Sequence, residues 1–406
     1  MNNKVVVYNI VLTIGLTLSA CSPQQVQHPP SPTYTFESAY APTASHTIEP
    51  PNTPQATATM QPATAISPPL TQESVSFPLS NRGPYWTGSR EYTLVDDSRD
   101  GRTIRLKIWY PALKQTNADG NPISRDAIPD MSAAPYPLII TDADGGDYLF
   151  QSHLASHGFA MVIVRFPDEY NNWDFGVIDH PLDMLFALNQ IASKPPDGLE
   201  NVIDSDNVGV AGYSWGGFYS LALSGVRIDP EYYLSQCAEA PSMEPPLNSK
   251  WLHYYCDLAS KWDEFAARAG DAITTSNDGL WQSITDNRIR AVAPLAPDGA
   301  WLYGERGLAA VDRPTLIIVG TKDNVSSYTM ESVYIFEHLG TPDRYMFSYI
   351  GEDHMMVFSH EPAARMKHFV TAFFGYYLQG RDDYAEYFSE DFIAQIDDLV
   401  WGVYKE

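Results

Sequence analysis

Short apolar runs rich in branched residues recur from residue 138 onward and alternate with segments of helical length. The runs cover residues 138–141, 161–166, 207–211, 291–296, 316–319 and 345–350. Runs of this kind are typical of strands that are buried on both faces of a parallel sheet, with helices in the crossovers. The pattern predicts an α/β fold with a mostly parallel central sheet and helices on both faces.

Three further segments extend this core. Residues 90–112 have strand character on either side of Asp100-Gly101, which predicts a leading antiparallel hairpin. Residues 225–287 hold scattered Trp and Tyr with little strand pattern, and we expect them to form a lid or cap insertion. Residues 381–406 carry apolar positions near helical spacing, so we expect a helical segment packed on the domain, with a partner-binding helix as the alternative.

The N-terminal region differs from the rest of the chain in its composition and its pattern of apolar residues. Residues 5–18 are apolar, too short for an ordinary span, and end in Leu-Ser-Ala-Cys at Cys21. This ending resembles the lipobox of bacterial lipoproteins, which implies removal of residues 1–20, lipidation of Cys21 and anchoring at the outer face of the membrane. A bare transmembrane anchor is the alternative. Residues 22–76 contain no Gly, Lys or Arg and are rich in Pro, Thr, Ser and Ala, so we expect a disordered stalk over residues 21–76.

The net charge limits the classes of partner that suit the chain, and the cysteine content bears on its cellular compartment. The formal net charge of −25 argues against nucleic acid or acidic lipid as partners and slightly favours neutral or cationic substrates. Apart from Cys21, only Cys237 and Cys256 remain, both in the insertion. In an oxidising compartment we expect them to form a disulfide; two separate buried thiols are the alternative.

A candidate nucleophile lies where a predicted strand meets a predicted helix. Residues 212–217 read Gly-Tyr-Ser-Trp-Gly-Gly, between the apolar run 207–211 and the helix-like run 218–224. In this G-x-S-x-G context a sharp strand-to-helix turn exposes the serine hydroxyl, and the first amides of the helix point at a developing oxyanion. The pattern predicts Ser214 as a nucleophile.

The residues that a serine nucleophile needs follow in the order Ser, Asp, His. Asp323 comes four residues after the strand 316–319, which breaks at Gly320, and His354 follows the strand 345–350. An imidazole takes the serine proton, and a carboxylate fixes the imidazole tautomer. Asp298, in a Pro-Asp-Gly turn, is the alternative acid, and His360 is the alternative base.

Two further histidines, His153 and His157, have a spacing that a metal pair could use. No third ligand or H-E-x-x-H motif accompanies them, and residues 152–159 are more typical of a helix that ends at Gly158. We expect neither a metal site nor a cofactor.

Residues 83–380 resemble the serine branch of the dienelactone-hydrolase-like α/β-hydrolases, close to the platelet-activating-factor acetylhydrolase and bacterial lipase group. The resemblance rests on residues 90–112, 212–217, 288–297, 315–323 and 351–354. It implies an α/β-hydrolase catalytic domain over 77–380 that cleaves carboxylic esters of small molecules or lipids through an acyl-enzyme.

The resemblance also implies an oxyanion hole made of two backbone amides, here those of Trp215 and Asp144. The chain departs from the family at this loop, because Asp142-Ala143 stand where His-Gly is usual. Carboxylates near a developing negative charge oppose catalysis unless they point away or are paired.

Two other classes of function share parts of this pattern. A serine peptidase of the prolyl-oligopeptidase type has the same strand-to-helix turn at the nucleophile, here residues 212–217 and called the elbow, and the same triad of Ser, Asp and His. Such enzymes generally carry a large β-propeller before the hydrolase domain. A non-catalytic surface binding protein on a hydrolase scaffold would fit the Asp-rich loop and leaves the intact triad unexplained.

Overall fold

The computed structural model describes residues 75–143, 145–168, 173–243 and 249–405. Nine strands within these ranges form a single sheet. They are β1 Trp86–Asp96, β2 Arg102–Ala112, β3 Tyr136–Asp142, β4 Ala160–Arg165, β5 Ile203–Tyr213, β6 Ile289–Leu295, β7 Thr315–Gly320, β8 Arg344–Tyr349 and β9 Leu399–Trp401. Each predicted strand overlaps one of the six strands β3 to β8, so the prediction of an α/β fold is confirmed.

The strand order is β1-β2-β4-β3-β5-β6-β7-β8-β9. Strands β4, β3, β5, β6, β7 and β8 run parallel, whereas β1, β2 and β9 are antiparallel to their neighbours. The chain leaves β3 toward β4 and then returns to the other side of β3 to form β5. This reversal opens a crevice at the carboxyl ends of β3 and β5, the usual place for a ligand site in such sheets.

Eleven α-helices are present in the same ranges. They are α1 His153–Ser156, α2 Gly176–Ser193, α3 Trp215–Ala222, α4 Pro230–Glu239, α5 Ser249–Cys256, α6 Trp262–Ala269, α7 Asp271–Thr274, α8 Ala300–Leu308, α9 Tyr334–His338, α10 His360–Gln379 and α11 Glu390–Ile393.

Helices cover both faces of the sheet, as β5 shows. A Cβ atom added at Gly209 would lie 2.5 Å from the Phe374 ring of α10, and one at Gly212 would lie 2.3 Å from the Gly216 carbonyl oxygen of α3. Positions three apart on a strand point to opposite faces. Helices α10 and α3 therefore pack on opposite sides, and both approach β5 so closely that only glycine fits.

The leading hairpin is confirmed. β1 and β2 pair antiparallel from Trp86↔Ala112 to Asp96↔Arg102. Asp100 and Gly101 both have positive φ, at 56° and 70°, in the connection. The helix predicted to end at Gly158 is α1, and Gly158 follows it with φ of 89°.

The insertion holds helices α4 to α7, and its predicted disulfide is confirmed. Cys237 on α4 and Cys256 at the end of α5 are bonded, with their Cα atoms 5.5 Å apart. The bond fixes α5 beside α4. The Tyr233 hydroxyl of α4 strengthens the same contact by donating a hydrogen bond to the Tyr255 carbonyl at 2.7 Å.

The C-terminal segment differs from the prediction in its second half. A 3-10 helix, Asp382–Phe388, and the short α11 precede β9, which pairs antiparallel with β8. A purely helical segment was therefore the wrong expectation. The last strand is three residues long, too short for an alternating pattern to stand out.

The predicted signal peptide, Cys21 and nearly the whole stalk lie outside the described residues. Within residues 75–143, 145–168, 173–243 and 249–405, no helix has both the length and the apolar character needed to cross a membrane.

Candidate active site

Ser214 occupies a strained turn between β5 and α3. Its φ of 57° and ψ of −116° lie outside the regions that a residue with a side chain normally adopts. Two main-chain hydrogen bonds hold it there: its N–H donates to the Leu295 carbonyl, and its carbonyl accepts from the Phe218 N–H, each at 3.0 Å. The turn places the Ser214 hydroxyl at the carboxyl edge of the sheet.

His354 and Asp323 come to the same edge from neighbouring strands. Asp323 lies three residues after β7, and His354 begins a 3-10 turn, His354–Phe358, after β8. The Ser214 Oγ is 2.9 Å from His354 Nε2, and His354 Nδ1 is 2.7 Å from Asp323 Oδ2. The structure thus joins the three predicted residues in one hydrogen-bonded chain.

The carboxylate of Asp323 is held on both of its oxygens. Oδ1 accepts hydrogen bonds from the amides of Val325 at 3.0 Å and Ser326 at 2.9 Å, while Oδ2 faces His354. The side chain of Asp323 is fully buried. Because both oxygens are engaged, the carboxylate has one orientation, and the orientation of the imidazole follows from it.

Neither alternative residue occupies this chain of hydrogen bonds. Asp298 is buried and accepts from the Tyr254 hydroxyl at 2.7 Å through Oδ2. His360 is exposed at the first position of α10. The geometry favours Asp323 over Asp298 and His354 over His360.

The amide of Trp215 is the first of α3, and the first amides of a helix have no acceptor within it. Asp144, predicted to carry the second amide of the oxyanion hole, lies outside the described residues. The neighbouring Asp142 is buried, and its Oδ1 accepts from the Gly145 N–H at 3.2 Å.

Asp142 also packs against the first turn of α3. A Cβ atom added at Gly216 would lie 2.1 Å from Asp142 Oδ1. The glycine therefore lets the carboxylate approach the amino-terminal end of the helix, where the partial positive charge of the helix dipole favours an anion. The Asp142 carboxylate, where the chain departs from the family, is therefore packed against the elbow and does not project into open solvent.

A cavity of about 250 Å³ opens beside the Ser214 hydroxyl. Its walls are mostly apolar, from Tyr148, Tyr213, Ser214, His354, Met355, Val357 and Phe358. Tyr148, Met355 and Phe358 expose 64%, 56% and 61% of their surface, so the mouth has an apolar rim. The sequence alone did not identify these three rim residues. Tyr148 lies in the helical turn Gly145–Phe150 after β3 and Phe358 ends the 3-10 turn after β8, and the two meet only in the fold, with ring centroids 5.7 Å apart.

The insertion reaches the elbow through Tyr254. Its ring lies 5.8 Å from the Trp215 ring, and its hydroxyl bonds to Asp298. Beside it, buried Glu331 accepts from the Gly299 and Ala300 amides, each at 2.8 Å. Burial raises the pKa of Asp298 to about 6 and that of Glu331 well above its usual range.

His153 and His157 lie side by side, with ring centroids 4.8 Å apart. Their Nε2 atoms face the Thr371 hydroxyl at 3.2 Å and the Asn81 carbonyl at 2.9 Å. No group of three or more His, Cys, Asp or Glu is arranged to hold a metal ion in the part of the chain that the structure describes.

No protein-family model matches the chain, and no curated protein is significantly similar to it.

Proposed function

We propose that the protein is a serine hydrolase that cleaves carboxylic esters on an α/β-hydrolase fold. The observation that carries the proposal is the continuous hydrogen-bonded chain from Ser214 Oγ through His354 to Asp323. Three strand ends of a parallel sheet supply its members, which is how such sheets build sites. The strained backbone of Ser214 supports the same reading, because strain is retained where function needs it.

In the proposed reaction, His354 Nε2 takes the hydroxyl proton of Ser214 while Oγ bonds to the ester carbonyl carbon. The carbonyl π electrons move to oxygen, and the Trp215 amide with a second donor of the loop after β3 stabilises that oxyanion. Collapse breaks the bond to the alcohol oxygen, which receives the proton from His354. Water then attacks the acyl-enzyme with His354 again as base, and the carboxylic acid leaves.

The buried carboxylate of Asp323 has two functions in this scheme. Its bond to Nδ1 keeps that nitrogen protonated, so that Nε2 faces Ser214 as an acceptor. Its negative charge stabilises the imidazolium that forms during attack. The apolar cavity at Ser214 suits an apolar part of the ester.

Fluorophosphonate labelling tests the nucleophile. We expect the purified protein to be labelled and Ser214→Ala to lose both labelling and turnover of 4-nitrophenyl esters. Ser359→Ala, which changes an exposed serine close to the site, is the matched control and should behave as wild type. A Ser214→Ala protein with full esterase activity would refute the assignment. Turnover of peptide 4-nitroanilides but not of esters would favour the peptidase alternative.

We also propose a cap and a lipid anchor. Residues 225–287 would act as the cap, since their Tyr254 contacts Trp215 beside the nucleophile. Cys21 would carry the lipid that holds the enzyme at the outer face of a bacterial membrane, and the Cys237–Cys256 bond fits an oxidising compartment. The full chain expressed in a bacterium should incorporate labelled palmitate, and Cys21→Ser should not.

A further inference from the structure

A second cavity, of about 400 Å³, adjoins the one at Ser214. Tyr148 lines both cavities and is the residue that they share. The second cavity is mainly polar, and its lining includes Arg82, Ser152, His153 and Lys367. The two cavities have opposite character, one apolar with the hydroxyl of Ser214 and one polar with two cations.

Neither cation is within salt-bridge distance of a carboxylate among the described residues. Arg82 lies 4.4 Å above the Trp86 ring and donates to the Tyr85 carbonyl at 2.8 Å, which fixes its guanidinium and leaves further N–H donors. Lys367 projects from α10 as a half-buried side chain. Two such cations thus line one cavity of a chain that has 25 basic and 50 acidic residues.

Neighbouring groups do not cancel this positive charge. Asp147, on the same turn as Tyr148, is paired with Arg165 at 2.6 Å. Burial lowers the pKa of His153 to about 3, with smaller contributions from His157 and Lys367. His153 is therefore neutral at physiological pH, and the charge of the cavity comes from Arg82 and Lys367.

We propose that this polar cavity is an anion-binding subsite, and that the substrates are esters with a carboxylate or phosphate at one end. The scissile carbonyl would lie at Ser214, and the anionic group would reach past Tyr148 to Lys367 and Arg82. Arg and Lys are the usual partners of such oxyanions. This inference rests on the proposed function. It replaces the expectation, drawn from the net charge, that neutral or cationic substrates are slightly favoured. The local field of a cavity can oppose the field of the whole chain.

The test compares esters that are matched in length and differ in charge. One pair is 4-nitrophenyl pentanoate and the 4-nitrophenyl monoester of glutaric acid; the other is a monoacylglycerol and its phosphate. We expect Arg82→Gln and Lys367→Gln each to raise KM about threefold for the anionic member, and the double variant about tenfold. KM for the neutral members should change less than about twofold. The pair whose anionic member shows the rise in KM tells whether the subsite binds a carboxylate or a phosphate.

Two control variants separate the subsite from general charge effects. Lys367→Arg keeps the cation and should retain the preference, whereas Lys194→Gln removes an exposed lysine at the end of α2 and should leave every KM unchanged. Thermal unfolding shows whether each variant is folded. Equal KM changes for neutral and anionic esters, or none, would overturn the subsite while ester hydrolysis stands. Absence of any turnover and of Ser214 labelling would instead refute the proposed function.

Discussion

The Tyr213 hydroxyl donates a hydrogen bond to the main-chain carbonyl of His354 at 2.7 Å. The two rings are also close, with centroids 5.4 Å apart and planes tilted by 53°. Tyr213 precedes Ser214 in the chain, so one residue of the elbow holds the loop that carries the proposed base. The bond is buried, and burial raises the pKa of Tyr213, so its hydroxyl stays protonated and remains a donor.

Removing the Tyr213 hydroxyl should make the position of His354 less well defined. We expect Tyr213→Phe to lower kcat for 4-nitrophenyl esters by about tenfold and to cost about 1 kcal/mol of stability, because one buried carbonyl loses its partner. KM should change little, since the ring that lines the cavity remains. Steady-state kinetics and urea denaturation measure both effects; a loss of stability with unchanged kcat would limit Tyr213 to a structural role.

The acid and base can be ranked with two pairs of variants. His354→Ala should lower kcat by several orders of magnitude. His360→Ala, at an exposed position, should lower kcat only slightly. Asp323→Asn should cost far more than Asp298→Asn, because only Asp323 contacts His354 Nδ1. The opposite order of the two aspartates would move the acid to the end of β6.

Buried Asp298 should make stability depend on pH. Its pKa is raised to about 6 in the folded protein, so its contribution is complete below the pKa of about 4 in the unfolded chain and is lost as pH rises through 6. Asp298→Asn cannot ionise and still accepts from Tyr254. Relative to wild type, the variant should gain up to about 3 kcal/mol between pH 4 and pH 8, as measured by urea denaturation. An equal difference at both pH values would contradict this.

The Cys237–Cys256 bond should affect the substrate cavity more than the sheet. It fixes the end of α5, and Tyr254 on that helix contacts both Trp215 and Asp298. We expect a double serine variant to raise KM or to change the preferred acyl length, with most thermal stability retained. Two titratable thiols in unreduced, natively secreted protein would show that the bond does not form.

Sequence patterns were sufficient for the six parallel strands, the leading hairpin and the three residues of the proposed triad. Each buried parallel strand is a continuous apolar run, and the ends of such strands share one edge, so Ser214, Asp323 and His354 could be placed together without coordinates. The order of the strands and the pairing of β9 depend on long-range contacts that leave no mark in a local pattern.

The surroundings of the site could not be predicted for a related reason. Tyr148 and Phe358 contact each other across more than two hundred residues of sequence. From the sequence, the Asp142 carboxylate was expected to oppose the developing oxyanion. In the fold, it accepts a hydrogen bond from the Gly145 N–H and packs on Gly216. Such roles depend on the direction of side chains, which periodicity does not give.

The most direct test of the central claim is the detection of an acyl-enzyme. The protein is mixed with 4-nitrophenyl acetate and quenched in acid during the first turnover, and its peptides are analysed by mass spectrometry. We expect a burst of 4-nitrophenol equal to the enzyme concentration and one acetyl group on the peptide that contains Ser214. Steady release of 4-nitrophenol with that peptide unmodified, or an acetyl group on another residue, would contradict the account.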